Sequence, residues 1–305
     1  MLLNCEQEAS GQLQHGLAVT NIAIRATSMC WLPSQGSVGL NEMFAISCSD
    51  GTVRFVHKNG TIEKTFQAHE GSVTCVKCSK DGSSLVSAGE DGEVKLWSRN
   101  GNLRSNLASF YRPLHSISYG STDSIVVAFG NKLCILSLQT KSNRIQWEAQ
   151  PPESGDVLTV DWSNQSKRIL CGGEDSRFRL FDSSGVLLYT SPLHDYTISS
   201  VAWNSSGSHF LVSCHNRIEL CDKSGRMHDA QTIPEVTVAK LQWSSNGTKV
   251  VAWSSIDGIV WSIPVIGKEV KWKDYVARLC TLQRIEVTDY SSLENERVEN
   301  IEYER

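Results

Sequence analysis

Short apolar runs, each followed by a polar turn residue, recur through this 305-residue chain about every forty residues. The turn residues form a ladder with steps of 41, 40, 44, 41 and 41 residues: Asp50, Asp91, Asn131, Asp175, Asn216 and Asp257. A second ladder has steps of 47, 41, 43, 41 and 40 residues: Trp31, Cys78, Tyr119, Trp162, Trp203 and Trp243. Two independent ladders with a common period indicate a structural repeat.

Each period contains four short strand-like runs. In the second period these runs are "SVTCVKCS", "SSLVSAG", "EVKLWS" and "LRSNLAS", separated by Gly, Asp, Asn and Ser. Asp91 and Gly92 lie between the second and third runs, where an Asp-Gly pair favours a tight hairpin turn. A four-stranded unit of about forty residues is typical of one blade of a β-propeller. The ladders therefore predict an all-β fold with six recognisable blades.

The segment "AHEGSVTCVKCSKDGSSLVSAGEDGEVKLWS" resembles a repeat of the WD40 family. The resemblance implies a WD40 β-propeller in which His69, Ser87, Asp91 and Trp97 form a buried hydrogen-bonded network that ties an interblade loop to a hairpin. It also implies that other repeats keep parts of this network: Asp175 with Phe181, His194 with Asn216 and Cys221, and Asp257 with Trp261.

A second resemblance extends from about Asn21 to about Val287. The phrases "GGEDSRFRLFDSSGVLLY", "ISSVAWNSSG" and "EVKWKDYVARLCTLQRIEV" are similar to the first propeller of the WD-repeat subunits of intraflagellar transport complex B. This implies a ring of seven blades, so we expect a partial chain. We expect an unmatched N-terminal segment (1–20), propeller blades (21–267), and a closing strand with an acidic linker toward a missing second domain (268–305).

The same resemblance implies a non-catalytic scaffold subunit of complex B that serves cilium assembly through protein–protein docking. The implied partners are other complex B subunits, a calponin-homology or coiled-coil subunit among them. The implied location is the cilium and ciliary base, within the cytoplasm. The alternative is a generic WD40 adaptor, such as a ubiquitin-ligase substrate receptor. A recruitment segment such as an F-box would favour that alternative, and none is visible.

Enzyme and metal functions have weaker support in the sequence. Ser87, His69 and Asp91 have the residue types of a nucleophilic triad, but nothing marks an exposed nucleophile or an oxyanion hole. Cys75 and Cys78 have C-x-x-C spacing, yet residues three apart on a strand point to opposite faces. No glycine-rich phosphate loop is present. We therefore predict no catalytic, cofactor-binding or metal-binding residues.

Charge and hydropathy indicate which partners are unexpected. The chain has 29 Lys plus Arg against 33 Asp plus Glu, a net charge of −4, which argues against nucleic acid as a partner. No run approaches the ~18 apolar residues that would indicate a membrane span, so we expect no membrane insertion. The ten cysteines accompany no signal-like segment. We expect an intracellular, soluble protein with reduced thiols.

Overall fold

The structure is a computed structural model. It describes residues 25–32, 43–57, 60–120, 124–138, 145–149, 155–244, 247–254, 260–272, 275–282, 286–288 and 298–300. Every regular element in these ranges is a β-strand, which confirms the predicted all-β class. Among the described residues there is no helix that could span a membrane.

Four sheets of four strands follow one another, each with its strands paired in chain order. The first contains β1 (Ala26–Leu32), β2 (Met43–Cys48), β3 (Thr52–His57) and β4 (Ile62–Gln67). The second contains β5 (Val73–Cys78), β6 (Ser84–Gly89), β7 (Glu93–Ser98) and β8 (Leu103–Ser109). The third contains β9 (Leu114–Tyr119), β10 (Ser124–Phe129), β11 (Lys132–Ser137) and β12 (Ile145–Ala149). The fourth contains β13 (Val157–Ser163), β14 (Arg168–Gly173), β15 (Phe178–Asp182) and β16 (Leu187–Thr190). These sheets have the form of propeller blades.

The last two repeats share one eight-stranded sheet instead of forming two separate ones. Its strands are β17 (Ser200–Trp203), β18 (His209–Asp222), β19 (Met227–Trp243), β20 (Lys249–Ser254), β21 (Val260–Trp272), β22 (Tyr275–Leu282), β23 (Glu286–Thr288) and β24 (Val298–Asn300). The two repeats merge because β19 is continuous: its first part pairs with β18 and its last part pairs with β20.

The C-terminal segment that was predicted to supply a closing strand contains β22. This strand pairs antiparallel with β21 along its whole length, from Tyr275 opposite Trp272 to Leu282 opposite Val265. β21 itself runs through residue 267, the predicted end of the blades. The other candidate for closure, residues 1–20, lies outside the described residues.

The chain divides into two compact units, residues 1–130 with 135–146 and residues 131–134 with 147–305. In the first unit, apolar side chains of the first and second sheets form one core: Ala45, Val53, Phe55, Val76, Leu85 and Trp97. In the second unit, the fourth sheet packs on β17 and β18 in the same way, through Leu170, Phe178, Leu180, Val201, Trp203 and Phe210. Packing between consecutive sheets explains why all six residues of the inner strand β6 are buried.

Candidate functional site

Four side chains of the second repeat form a continuous hydrogen-bonded row. His69 lies in the loop between β4 and β5, and its Nδ1 is 2.9 Å from Asp91 Oδ1. Its Nε2 is 2.6 Å from Ser87 Oγ on β6. The indole N–H of Trp97 on β7 donates to the same hydroxyl at 2.8 Å. The row thus links the loop before the sheet to three parts of its central hairpin.

Donor and acceptor roles in the row follow from valence and burial. The Trp97 N–H can only donate and the Asp91 carboxylate only accepts, so Ser87 Oγ accepts from Trp97 and His69 Nδ1–H donates to Asp91. Burial lowers the pKa of His69, although the charge of Asp91 acts in the opposite direction. The neutral ring leaves Nε2 free to accept the Ser87 O–H. Every donor in the row therefore has an acceptor.

The Asp91 carboxylate is also held by the backbone. It accepts the Glu93 N–H at 3.0 Å and the Glu70 N–H at 3.1 Å. Burial alone would raise the pKa of Asp91, but the Glu93 N–H and His69 hold it below its ordinary value. Asp91 is consequently an ionised acceptor that fixes the start of the loop as well as the histidine.

Ser87, His69 and Asp91 have the sequence of contacts found in a catalytic triad, but the nucleophile is inaccessible. Ser87 is 0% exposed and His69 is 1% exposed. Ser87 Oγ also accepts the Trp97 N–H, which reduces its capacity to act as a nucleophile. A triad requires an exposed hydroxyl beside its base. The burial of Ser87 and His69 agrees with the structural role that the WD40 resemblance implies for them.

Two glycines provide the space in which the row forms. A Cβ at Gly89 would lie 2.5 Å from His69 Nδ1 and 2.6 Å from Asp91 Oδ1. Gly92 has a φ of +77°, and a Cβ there would collide with the carbonyl oxygen of Phe110. The "AGEDG" motif thus supplies one glycine where a side chain would displace the network and a second where it would collide with the Phe110 carbonyl.

The structure places four ladder residues in turns between the second and third strands of their sheets: Asp50, Asp91, Asn131 and Asp175. Each of the three aspartates accepts the backbone N–H two residues onward, from Thr52, Glu93 and Arg177. Asn216 lies inside the continuous strand β18 with a φ of +55°. Asp257 lies outside the described residues.

In the fifth repeat a different group occupies the place of this row. The predicted partners of His194 were Asn216 and Cys221, but its Nε2 is 3.1 Å from Glu219 Oε2. Its Nδ1 is 3.1 Å from the Ser176 carbonyl oxygen. A carboxylate and a carbonyl both accept, so both ring nitrogens donate and the ring is an imidazolium. Burial is the largest single influence and lowers the pKa of His194, but the hydrogen bond and charge of Glu219 and the Ser176 carbonyl together outweigh it, so the net shift is upward.

Glu219 is the residue that sequence reasoning missed. It is 6% exposed and lies between the buried side chains of Ile218 and Leu220. Arg217 Nε is 2.8 Å from its other carboxylate oxygen. Carboxylates are almost never fully buried without a partner, so a glutamate inside the apolar run "RIELC" was the signal for this ion pair.

One trio of described residues has metal-ligand spacing: His69, Asp91 and Glu93, whose ligand atoms lie within 4.8 Å of one another. A cation is already present there, because Lys95 Nζ is 2.7 Å from Glu93 Oε2 and 4.0 Å from Asp91 Oδ2. His69 also uses both ring nitrogens within the protein. The trio is therefore a satisfied ion pair network and a poor metal centre.

Cys75 and Cys78 of the second repeat contact different neighbours. Cys75 Sγ is 3.8 Å from the Ile117 carbonyl oxygen, whereas Cys78 Sγ is 2.6 Å from Cys30 Sγ on β1. Cys30, Cys75 and Cys78 are free thiols. Cys75 and Cys78 therefore do not act as a two-ligand motif.

Two loops expose apolar side chains to solvent, and contacts of neighbouring residues hold the backbone of each loop in place. In the loop between β8 and β9, Tyr111 is fully exposed, and its neighbour Phe110 stacks on Phe129 with ring centroids 4.2 Å apart. In the loop between β16 and β17, Leu193 is 67% and Tyr196 48% exposed. The backbone N–H of His194 in this second loop donates to the Ser176 carbonyl at 2.9 Å. Anchored loops with exposed aromatic groups are suited to binding another protein.

Comparison with known proteins gives a family signal in three parts of the chain. The family model "WD domain, G-beta repeat" matches residues 60–98, 147–182 and 185–229. Intraflagellar transport protein 80 homolog of Mus musculus is 36% identical over 197 residues, which cover 63% of this chain and 25% of that protein. The protein of the same name from Rattus norvegicus gives the same values. Nuclear distribution protein PAC1 of Arthroderma benhamiae is 22% identical over 204 residues, covering 65% of this chain and 39% of that protein.

The chain spans about a quarter of the length of the two mammalian relatives. The matched segment 60–98 contains His69, Ser87, Asp91 and Trp97, so the family model and the hydrogen-bonded row coincide. The four-stranded sheets, the buried row and these matches agree on WD40 repeats within residues 60–98, 147–182 and 185–229.

Proposed function

We propose that the chain is a non-catalytic scaffold, a piece of a WD-repeat subunit of intraflagellar transport complex B that serves cilium assembly. The observation that carries this proposal is the 36% identity, over 197 residues, to proteins named for intraflagellar transport. The buried hydroxyl of Ser87 agrees with a role that turns over no substrate. The proposed location is the cilium, its base and the surrounding cytoplasm.

Docking is proposed to use the anchored loops. Tyrosine contributes a large contact area at a small entropic cost, which is why it is enriched at the centres of interfaces. Tyr111 and Tyr196 are exposed tyrosines, and Leu193 adds an exposed apolar side chain. The backbones of these loops are already held by hydrogen bonds. The proposed partner is another complex B subunit of the calponin-homology or coiled-coil class. The net charge of −4 makes nucleic acid an unsuitable ligand.

The domain organisation belongs to the same proposal. Residues 21–267 would form the blades, and residues 268–305 would lead toward a further domain of the complete protein.

The test is affinity purification of the tagged chain from ciliated cells, followed by mass spectrometry. We expect complex B subunits with the wild-type chain and fewer with Tyr111→Ala or with Leu193→Ala/Tyr196→Ala. Leu103→Ala is the matched control, because Leu103 is 54% exposed but lies on the outer strand β8. Recovery of no complex B subunit by either this chain or the full-length protein would overturn the proposal. Equal recovery by all variants would overturn the role of the two loops.

A further inference from the structure

Two cysteines of neighbouring sheets bring their thiols into contact. Cys30 lies on β1 and Cys78 at the end of β5, and their sulfur atoms are 2.6 Å apart. A sulfur–sulfur bond is about 2.05 Å long, and sulfur atoms without a bond normally lie farther apart than these two. Among the cysteines whose side chains the structure describes, only this pair is partly exposed, and the others are buried. The two thiols are therefore both adjacent and open to solvent.

The contact follows from the alignment of two whole strands. β1 and β5 lie side by side in the first compact unit, and their contacts advance together along both strands. The Thr27 hydroxyl donates to the Val73 carbonyl oxygen. Ser28 Oγ is then 3.8 Å from Cys75 Sγ, and the cysteine pair is the next contact in the same direction. The two strands thus run in parallel directions, which sets the position of both sulfur atoms.

Pairing within each sheet holds both backbones in place. Cys30 lies opposite Ala45 of β2, and Cys78 lies opposite Leu85 of β6. Both cysteine side chains also pack against the core that the first and second sheets share. A bond requires the sulfur atoms to approach by only about half an ångström, which small rotations of the two side chains supply. The paired strands need not separate for the bond to form.

We propose that Cys30 and Cys78 form a reversible disulfide bond when hydrogen peroxide oxidises the chain, and that this bond fastens the first sheet to the second. The thiolate of Cys78 attacks one peroxide oxygen, the oxygen–oxygen bond breaks, and hydroxide leaves a sulfenic acid behind. The Cys30 thiol then attacks the sulfenic sulfur, and the sulfenic oxygen leaves as water. The two thiols give up two electrons and two protons in total, and the peroxide becomes two molecules of water.

The order of attack follows from the surroundings of Cys30. Burial raises the pKa of Cys30 well above its usual range, and the hydrogen bond and charge of Cys78 raise it further, while Lys77 acts in the opposite direction. Cys30 therefore keeps its proton, and the thiolate that attacks the peroxide is assigned to Cys78, since a thiolate is the nucleophile in this chemistry. A small dithiol reverses the reaction by thiol–disulfide exchange.

The test is treatment of the folded full chain with hydrogen peroxide, followed by alkylation of the remaining thiols, digestion with trypsin and mass spectrometry without reduction. Trypsin cleaves after Lys77, so it separates Cys78, in the peptide 78–80, from Cys75. Cys30 lies in the peptide 26–54. We expect these two peptides to be joined, with a mass lower by two hydrogens than the two separate peptides have together, and to be released by dithiothreitol.

Single substitutions assign the bond to its two sulfur atoms. Cys30→Ala and Cys78→Ala should each abolish the joined peptides. Cys75→Ala is the matched control on the same strand and should keep them, because Cys75 is buried beside the Ile117 carbonyl. Cys48→Ala should also keep them, since Cys48 shares the peptide of Cys30 but is buried on β2.

Joined peptides in the wild type and both controls, together with their loss in the other two variants, would support the site. Separate peptides in the peroxide-treated wild type, or joined peptides that persist in Cys30→Ala, would overturn it. The wild-type measurement depends on no substitution, so a variant that folds poorly does not decide the result. The experiment needs no complex B subunit, so its failure leaves the proposed scaffold function intact, and the reverse also holds.

Discussion

Replacement of Asp91 by alanine tests the hydrogen-bonded row directly. The change removes the acceptor of His69 Nδ1–H, which is buried, and the acceptor of the Glu70 and Glu93 N–H groups. The two backbone groups lie nearer the surface and can turn to water. The imidazole N–H cannot, because His69 is 1% exposed. Leaving one buried donor unpaired costs about 1–3 kcal/mol.

Equilibrium unfolding in urea measures this cost. The Asp91→Ala chain should unfold at a lower urea concentration with an unchanged slope, since the surface exposed on unfolding stays the same. The melting temperature should fall by roughly 2–4 °C for each kcal/mol lost. Far-UV circular dichroism of the folded variant should match that of the wild type.

Asp50→Ala is the matched control for this experiment. Asp50 occupies the same ladder position in the first repeat and accepts the Thr52 N–H at 3.0 Å, but it holds no buried histidine. Its side chain is 31% exposed, against 13% for Asp91. We expect a clearly smaller destabilisation. If the two variants lose equal stability, the buried histidine contributes nothing and the argument from the unpaired donor is refuted.

Further predictions follow from the same contacts. Gly89→Ala should destabilise the chain by about 1–3 kcal/mol, because its Cβ would press on His69 and Asp91. In urea unfolding, the double variant with Asp91→Ala should lose less than the sum of the single losses, and additive losses would contradict the shared site. Glu219→Gln should cost stability that depends on pH. The folded pKa of His194 is raised from 6.5, so its pairing stabilises fully below pH 6.5 and is lost as pH rises through the folded value. The folded pKa of Glu219 is lowered from 4.5, so its contribution is present above pH 4.5 and is lost on stronger acidification. Urea midpoints of wild type and Glu219→Gln should differ most between pH 5 and 6 and less at pH 8, and a constant difference would show that His194 is not charged.

The sequence was sufficient for features that depend on local chemistry. The turn at Asp91 and Gly92 requires a positive φ and a short acceptor side chain. The sequence predicts both, because Gly92 can adopt the positive φ and Asp91 supplies the acceptor. Asp50 and Gly51 form the same turn for the same reason, whereas Asp175 is followed by Ser176, which takes the positive φ of +56° without being glycine. The merging of the last two repeats was not visible, because Pro234 within Met227–Trp243 favours two strands with a break between them over one continuous strand. Strand continuity there depends on pairing with β18 and β20, which is a tertiary property.

His69 and His194 occupy the same position in their repeats, but the two rings differ in charge. Eighteen residues after His69 stands Ser87, whose hydroxyl donates to Nε2. Eighteen residues after His194 stands Val212, which is buried and offers no polar group. The ring of His194 therefore turns to Glu219 and the Ser176 carbonyl, two acceptors that require a second proton.

The difference between serine and valine at this inner position thus accompanies a change from a neutral to a charged histidine. The consequence for stability has opposite signs in the two repeats. The pKa of His69 is lowered in the folded chain. As the pH falls, the unfolded chain therefore protonates this histidine before the folded chain does, so acidification below pH 6.5 destabilises the second repeat. His194 has a raised folded pKa, so the same acidification stabilises the fifth repeat until Glu219 is protonated. A sequence motif alone cannot carry this difference, because the difference depends on which atoms lie within hydrogen-bonding distance of each ring nitrogen.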